Sequence, residues 1–341
     1  MTTPPYLHKG DKIGIVAPAR WVAPEDIEPA LKVFESWGLV VVRGQNLYSR
    51  YHQFAGTDEQ RAADMQAMLD NESIRAIICA RGGYGTVRII DRLDFRKFAS
   101  KPKWIAGYSD ITALHAHIEK QYETETLHAP MAFGYKNDSE CTESFELLRK
   151  ALFGENLSYE TMPGPCSRKG LAQAPLTGGN LSMIYSLSGS ASECGTNGKI
   201  FFIEDLDEYL YHVDRMMQQL KRSGKLANLA GLVVGGMSKM RDNLVPFGKT
   251  AKEIIAETVK DYDYPVLFDF PAGHDPLNQT LILGRTVSLE VGEKAKLRFL
   301  QASQGNFNKV ARRSMFKSIG FTLLLFMAIY LLYYFVINLL I

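Results

Sequence analysis

The chain has 341 residues, and its content of 46% hydrophobic and 22% charged residues is that of a folded protein rather than a disordered one. A single core becomes hard to extend beyond roughly 250–300 residues, so we expect two domains. The formal net charge is +2, but four of the 39 basic residues lie beyond Asn308, which leaves 35 basic against 37 acidic residues in the body. Nucleic acid is therefore not expected as a partner.

The four cysteines are widely spaced and form neither a CxxC pair nor a pattern of metal ligands. In a chain of this length they are typical of free thiols in a reducing compartment. The N-terminus has neither the basic nor the apolar region of a secretory signal peptide. Both features predict a cytoplasmic location for the body of the protein.

The first half of the chain alternates between apolar runs and segments with helical spacing. Strands are predicted over 12–19, 39–42, 74–80 and 104–108, and helices over 24–37, 57–69, 84–93 and 111–118. Nearly continuous apolar strands in such an alternation indicate a parallel sheet covered by helices on both faces. Ligands bind such sheets at the carboxyl ends of the strands.

A tight turn with the sequence Gly107-Tyr-Ser-Asp110 joins the fourth predicted strand to the next helix. A serine there projects its hydroxyl off the end of the sheet, and the backbone N–H groups of the next helical turn point at the same place. This is the geometry that a nucleophilic serine needs. The alternative interpretation is that Ser109 or Asp110 caps the helix.

A second loop, Arg81-Gly-Gly-Tyr-Gly85, follows the third predicted strand at the same edge of the sheet. Its glycines let the backbone approach a ligand and expose N–H groups, as a cradle for a phosphate or an oxyanion would. The loop matches neither the GxGxxG nor the P-loop pattern, so a flexible turn is the alternative.

The second half is predicted to form a smaller mixed α/β domain. A polar interval with several prolines, 137–174, precedes it and is interpreted as a linker. Strands are then predicted over 199–203, 229–234, 265–270, 281–283, 286–291 and 296–300, and helices over 209–220 and 249–259. The run of strands near the end predicts a barrel-like sheet.

Two predicted strands of this half end in chemically useful side chains. One ends in Glu204-Asp-Leu-Asp-Glu208, where Glu204 directly follows the buried run and is expected to be partly desolvated. Capping of the next helix is the alternative for any of these acids. The other ends in Pro271-Ala-Gly-His-Asp275, which places His274 where a general base is useful.

A serine is inert at neutral pH without an adjacent base, and the histidine needs a carboxylate that holds its tautomer. Ser109, Glu204 and His274 are therefore candidates for a catalytic triad. Acyl transfer also needs backbone donors for the oxyanion, and the N–H groups of Asp110 and of the Gly82–Gly83 turn are candidates.

Five motifs occur together in the order of a known family: Arg81-Gly-Gly-Tyr-Gly85, Gly107-Tyr-Ser-Asp-Ile-Thr-Ala-Leu114, Leu176-Thr-Gly-Gly-Asn-Leu181, Ile203-Glu-Asp205 with Tyr211 and Asp214-Arg-Met216, and Gly273-His274. This combination resembles the LD-carboxypeptidase family of serine peptidases, of the muramoyltetrapeptide carboxypeptidase type. The resemblance runs from about Lys9 to Leu300, nearly the whole body.

The resemblance implies a flavodoxin-like N-terminal domain, a smaller C-terminal domain and the triad of Ser109, Glu204 and His274. It implies the N–H groups of Asp110 and Gly83 as oxyanion donors, with Gly82 as the neighbouring option. Arg81 is a candidate partner for the terminal carboxylate of the substrate and Gly82 a candidate contact, although an exposed loop arginine is the alternative. Neither a metal nor another cofactor is implied.

The reaction implied is hydrolysis, through an acyl-enzyme, of the amide between an L-configured centre and a terminal D-amino acid. The typical substrate is the murein tetrapeptide, which releases D-alanine during cell-wall recycling. Two alternatives are an immunity-type peptidase of the same family, which cleaves a peptidyl-nucleotide antibiotic, and a membrane-tethered binding protein without activity. Asp207 and Leu210 depart from the family pattern, where a glycine and a proline are usual.

Residues 318–341 carry no charge and follow four cations, which predicts a C-terminal transmembrane helix; a buried helix is the alternative. The cytoplasmic body is then expected to be anchored to the inner membrane. The predicted order is a nucleophile domain (1–136), the linker (137–174), a domain carrying the glutamate and the histidine (175–303), a basic juxtamembrane segment (304–317) and the anchor (318–341). Assembly into a homodimer is left open.

Overall fold

The structure, a computed structural model, describes residues 1–301. Its strands are β1 (Lys12–Val16), β2 (Val40–Arg43), β3 (Ile74–Cys79), β4 (Trp104–Gly107), β5 (Thr126–His128), β6 (Ser158–Thr161), β7 (Gly170–Asn180), β8 (Ile200–Leu206), β9 (Gly231–Ser238), β10 (Val266–Leu267), β11 (Leu281–Leu283), β12 (Thr286–Val291) and β13 (Ala295–Phe299). Its α-helices are α1 (Pro24–Ser36), α2 (Asp58–Asp70), α3 (Arg96–Ser100), α4 (Thr112–Tyr122), α5 (Ser139–Phe153), α6 (Leu181–Ser186), α7 (Leu210–Arg222) and α8 (Ala251–Thr258).

The first sheet has the strand order β11-β5-β4-β3-β1-β2, and all its strands are parallel except the edge strand β11. Without β11 this is the 2-1-3-4-5 order of flavodoxin-like folds. Its central strands are buried because their side chains enter apolar clusters on both faces. The carboxyl ends of β3 and β4 are neighbours, so the glycine loop and the turn at Ser109 lie side by side.

The second sheet has the order β10-β9-β8-β7-β12-β13-β6. The long strand β7 pairs antiparallel with β12 through its first half and parallel with β8 through its second half. An isolated bridge joins Arg168, just before β7, to Val266 in β10, and the predicted barrel-like closure of this sheet stays a prediction. The result is a mixed α/β second half, in keeping with the predicted two-domain α/β fold.

The Thr-Gly-Gly-Asn motif at the end of β7 joins the second sheet to helix α4. Gly178 has φ +130°, and a β-carbon there would lie 1.9 Å from the carbonyl oxygen of Phe202, so only glycine fits. The N–H of Asn180 donates to Thr112 Oγ1 on α4. The side chain of Asn180 caps α6 and donates to Asp205. The motif therefore ties β7 to the helix that follows Ser109.

Two predicted elements differ from the structure. The helix predicted over 84–93 is a pair of 3-10 turns, Thr86–Arg88 and Ile90–Arg92. The first turn begins where the N–H of Thr86 donates to a buried carboxylate. The strand predicted over 265–270 pairs only at β10. The predicted linker interval, 137–174, contains α5 and β6, and the domain boundaries around it stay a prediction.

The predicted membrane anchor is corrected. A helix needs about 20 mostly apolar residues to cross a bilayer. The longest helix in residues 1–301 is α5, with 15 residues and several charged side chains, and none of the helices described has the length and hydrophobicity to span a membrane. The predicted span, 318–341, and the basic segment before it lie outside the described residues. We withdraw both the transmembrane helix and the attachment to the inner membrane.

Candidate active site

Ser109 follows β4 with one residue between them, at the start of a 3-10 turn that leads into α4. Its φ is +62°, in the left-handed region that non-glycine residues seldom adopt. Such strain at a strand-to-helix turn exposes a serine hydroxyl above the end of a sheet. Neither the 3-10 turn nor α4 has a side-chain hydrogen bond at its N-cap, so the capping alternative does not describe Ser109 or Asp110.

The glycine loop lies against this serine. A β-carbon on Gly82 would lie 3.1 Å from Ser109 Cβ and 3.3 Å from Ser109 Oγ. Within residues 1–301, no hydrogen bond uses the N–H of Gly83 or of Asp110. Neither N–H group has a partner in these residues, and their role as oxyanion donors stays a prediction.

Two buried side chains hold the glycine loop in place. Asp110 Oδ2 accepts the N–H of Thr86 at 2.8 Å, and Arg61 Nη1 donates to the carbonyl of Gly85 at 2.9 Å. Burial raises the pKa of Asp110, against the opposing effect of its hydrogen bond with Thr86. The side chain of Asp110 therefore positions the loop, while its N–H remains available.

Glu204 and His274 form a hydrogen-bonded pair. The Glu204 Oε2 and His274 Nδ1 atoms are 2.7 Å apart, and the Glu204 side chain is completely buried. Glu204 lies inside β8, where the pairing with β9 shifts register, and such bulges re-aim side chains next to active sites. His274 follows Gly273, whose φ is +114° and whose β-carbon would lie 2.6 Å from Glu204 Oε2. Only glycine therefore lets this loop pack against the glutamate.

Tyr108 links this pair to the serine turn. Its ring centroid lies 4.8 Å from that of His274, and Tyr108 immediately precedes Ser109. Burial, and then the charge of Glu204, raise the pKa of Tyr108 to about 12, so it stays a neutral phenol. No hydrogen bond joins Ser109 to His274 in the described part of the chain, and catalytic hydrogen bonds often tighten only when substrate binds.

A cavity of about 620 Å³ opens beside His274. Its walls contain aromatic, cationic and acidic side chains, which include Tyr108, Phe133, Tyr135, Lys136, Asp138, Ser238, Lys239 and Asp275. None of these side chains is predicted as a site residue from the sequence. Some of them are neighbours in sequence of Ser109, of His274 or of the end of β9, and the others lie in the segment between β5 and α5. Neither position in the sequence distinguishes a cavity wall from a surface loop.

Arg81, predicted to contact the terminal carboxylate of the substrate, contacts Trp21 and Phe133 in the structure. Its Nη1 donates to the carbonyl of Trp21 at 3.0 Å, and its guanidinium lies 3.9 Å from the centroid of the Phe133 ring. Burial, and then the positive charge of Arg20, lower its pKa. The predicted contact of Arg81 with substrate stays a prediction.

The two departures from the family pattern meet at Arg241. Asp207 has φ +63°, a conformation that glycine adopts freely and aspartate tolerates better than most residues. Its carboxylate accepts two hydrogen bonds from the Arg241 guanidinium. The N–H of Leu210, which a proline would lack, donates to the carbonyl of Arg241 at 2.9 Å. Both departures therefore fasten the loop after β9 to the loop after Glu204.

We expect Asp207→Ala to melt about 2 °C below Asp207→Gly, because both lose the ion pair while only alanine strains a left-handed backbone. Thermal unfolding of the full chain, followed by circular dichroism, measures the difference. Equal melting temperatures, or a higher melting temperature for the alanine variant, would show that the positive φ at residue 207 does not destabilise alanine relative to glycine.

Comparison with known proteins identifies the family. The chain matches the sequence profile of an LD-carboxypeptidase N-terminal domain over residues 13–129 and that of an LD-carboxypeptidase C-terminal domain over residues 173–289. A probable murein peptide carboxypeptidase of Bacillus subtilis (strain 168) is 34% identical over 309 residues, which cover 89% of this chain and 96% of the relative.

Two solved structures share the fold. The muramoyltetrapeptide carboxypeptidase from Oxalobacter formigenes gives a TM-score of 0.77 at 27% identity, over 84% of this chain and 98% of that chain. The microcin C7 self immunity protein MccF, solved in complex with aspartyl sulfamoyl adenosine, gives 0.78 at 22% identity, over 87% of this chain and 98% of that chain, which is a likeness of fold alone. The chain therefore belongs to the LD-carboxypeptidase family and is a serine carboxypeptidase.

Proposed function

We propose that this LD-carboxypeptidase releases D-alanine from murein tetrapeptides, as part of cell-wall recycling. The observation that carries the proposal is the buried Glu204–His274 hydrogen bond beside the strained turn at Ser109. The names of the Bacillus relative and of the Oxalobacter structure support murein peptides as the substrate class.

In the proposed mechanism, Ser109 Oγ attacks the carbonyl carbon of the penultimate residue while His274 Nε2 takes its proton. Glu204 holds the proton on His274 Nδ1 and stabilises the imidazolium that forms. The N–H groups of Asp110 and Gly83 bind the oxyanion of the tetrahedral intermediate. His274 then protonates the leaving nitrogen of D-alanine, and water hydrolyses the acyl-enzyme with the same histidine as base.

The second candidate is cleavage of a peptidyl-nucleotide antibiotic by the same groups. One observation favours it: Tyr108, Phe133 and Tyr135 line the cavity beside His274 and offer faces on which a base can stack. The likeness to MccF concerns the fold and leaves the choice of substrate open.

The test compares the two substrates on the full chain. Release of free amino acid is measured from murein tetrapeptide ending in D-alanine, from the matched peptide ending in L-alanine, and from an aminoacyl sulfamoyl adenosine. We expect turnover of the D-alanine peptide alone. Turnover of the nucleotide conjugate without the tetrapeptide would replace the proposed function by the second candidate, and equal turnover of both peptides would refute selectivity for a D-amino acid.

Activity is expected to rise with pH through the pKa of His274, because only the neutral imidazole accepts the proton of Ser109. Burial lowers this pKa, but the hydrogen bond with Glu204 and the charges of Glu204, Asp205 and Asp275 outweigh burial and raise it. The acidic limb of a kcat/KM profile should therefore have its midpoint above the usual value of about 6.5. Asp275→Asn should move the midpoint down; a midpoint below 6.5, or an upward shift in the variant, would contradict the assignment.

A further inference from the structure

A carboxypeptidase must recognise the carboxylate at the end of its substrate. In the proposed reaction, which this inference takes as its basis, that carboxylate and the leaving nitrogen are bonded to the same carbon atom. In that reaction His274 protonates this nitrogen, so we expect the carboxylate to enter the cavity that His274 lines. The carboxylate of Asp275 lines the same cavity and repels a second anion. A cation is therefore needed there to bind the terminal carboxylate.

The two arginines near Ser109, Arg20 and Arg81, are not placed to bind the terminal carboxylate in this cavity. Arg81 is half-buried and donates to the carbonyl of Trp21. The side chain of Arg20 lies against Gly83, on the glycine loop, and Arg20 is not among the residues that line the cavity. The cavity itself contains two lysines, Lys136 and Lys239, and neither forms an ion pair within residues 1–301.

Lys239 is the better placed of the two, because the chain on both sides of it is fastened to the catalytic loops. The hydroxyl of Ser238 donates to Asp275, the residue after His274. On the other side, Arg241 pairs with Asp207 in the loop that follows Glu204. Lys239 itself has φ +52°, so its backbone is held in the left-handed region between these two attachments.

The charges around Lys239 leave its ammonium group available. Asp207 is the acid of the adjoining loop, and Arg241 already pairs with it. Asp275 accepts a hydrogen bond from the hydroxyl of Ser238 and keeps its charge, and no ion pair joins it to Lys239 within residues 1–301. Lys136 lies in the loop before α5, two residues from Asp138, whose carboxylate caps that helix.

We propose that Lys239 binds the terminal carboxylate of the substrate and so restricts the enzyme to the last residue of a peptide. Lys239 acts as a specificity residue: it contacts the leaving amino acid but takes no part in proton transfer. The Ser238–Asp275 hydrogen bond and the Asp207–Arg241 ion pair position it at the cavity.

The experiment compares the murein tetrapeptide as the free acid with the same peptide as its C-terminal amide. The wild type should prefer the free acid by about 10- to 100-fold in kcat/KM, the range expected for a charge-assisted hydrogen bond. Lys239→Gln should lose this preference, mainly through KM for the free acid, and should leave turnover of the amide unchanged. Lys239→Arg should keep most of the preference because it keeps the charge.

Lys136→Gln is the matched control, since it removes a lysine from the same cavity and should keep the preference. An undiminished preference in Lys239→Gln, or an equal loss on both substrates, overturns the role of Lys239 while the proposed function stands. A wild type that turns over the free acid and the amide equally well also overturns the role of Lys239 and leaves the proposed function standing. A wild type that releases no D-alanine refutes the proposed function, and the role of Lys239 falls with it.

Discussion

Ser109→Ala is expected to lower kcat for release of D-alanine by about four to six orders of magnitude, the loss typical of removing a serine nucleophile. The hydroxyl is the atom that attacks the substrate, and no neighbouring group replaces it. Binding should change little, because the N–H groups of Asp110 and Gly83 belong to the backbone. Single-turnover assays of D-alanine release, together with the affinity of the variant for intact tetrapeptide, measure both quantities.

The matched control is Ser186→Ala, which removes a surface hydroxyl that bonds only to a nearby carbonyl on α6. It should retain wild-type kcat. Melting temperatures of both variants establish that the fold is intact. Residual activity of Ser109→Ala above about one per cent of the wild type would assign the nucleophile to another group, since a true nucleophile leaves far less.

Glu204→Gln is expected to lower kcat by about three to four orders of magnitude with little change in KM, as seen when a triad carboxylate loses its charge. A glutamine keeps the size of the side chain, but its amide does not stabilise the imidazolium of His274. Its NH₂ group can also donate to Nδ1, which leaves the proton on Nε2 and blocks its function as a base. Steady-state kinetics over a range of pH measures the loss.

The chain offers a matched control in a second glutamate–histidine pair. Glu208 Oε2 lies 3.0 Å from His212 Nδ1 on α7, and both side chains are partly exposed. Glu208→Gln makes the same chemical change and should leave kcat unchanged. Comparable losses in the two variants would show that the glutamine acts through general electrostatics, and the assignment of Glu204 to the triad would fail.

The local pattern of the sequence predicted the first sheet well. The apolar runs that became β1, β3 and β4 are nearly continuous because these strands are buried on both faces, and this pattern needs no tertiary information. Prediction failed where long-range contacts decide the local form. The predicted helix after Gly85 is a pair of 3-10 turns, and the N–H of Thr86 at its start donates to Asp110, which is 24 residues away.

For the charged residues too, long-range contacts decide what the local sequence does not predict. Arg81 was a candidate for the substrate carboxylate because it begins a loop at the edge of the sheet. In the structure, Trp21, 60 residues earlier, accepts a hydrogen bond from it. Lys239 had no signal in the sequence, and its position at the cavity depends on Ser238 and Arg241, whose partners belong to other loops.

Apolar periodicity and the order of motifs are properties of the chain, so they are enough to predict the alternation of strands and helices, the family and the candidates Ser109, Glu204 and His274. The tertiary structure decided the 2.7 Å approach of Glu204 to His274, the left-handed turn at Ser109 and the cavity beside them. Seventy residues separate the glutamate from the histidine. Their distance follows from the bulge opposite Glu204 and the close packing at Gly273, which arise only when the strands pair.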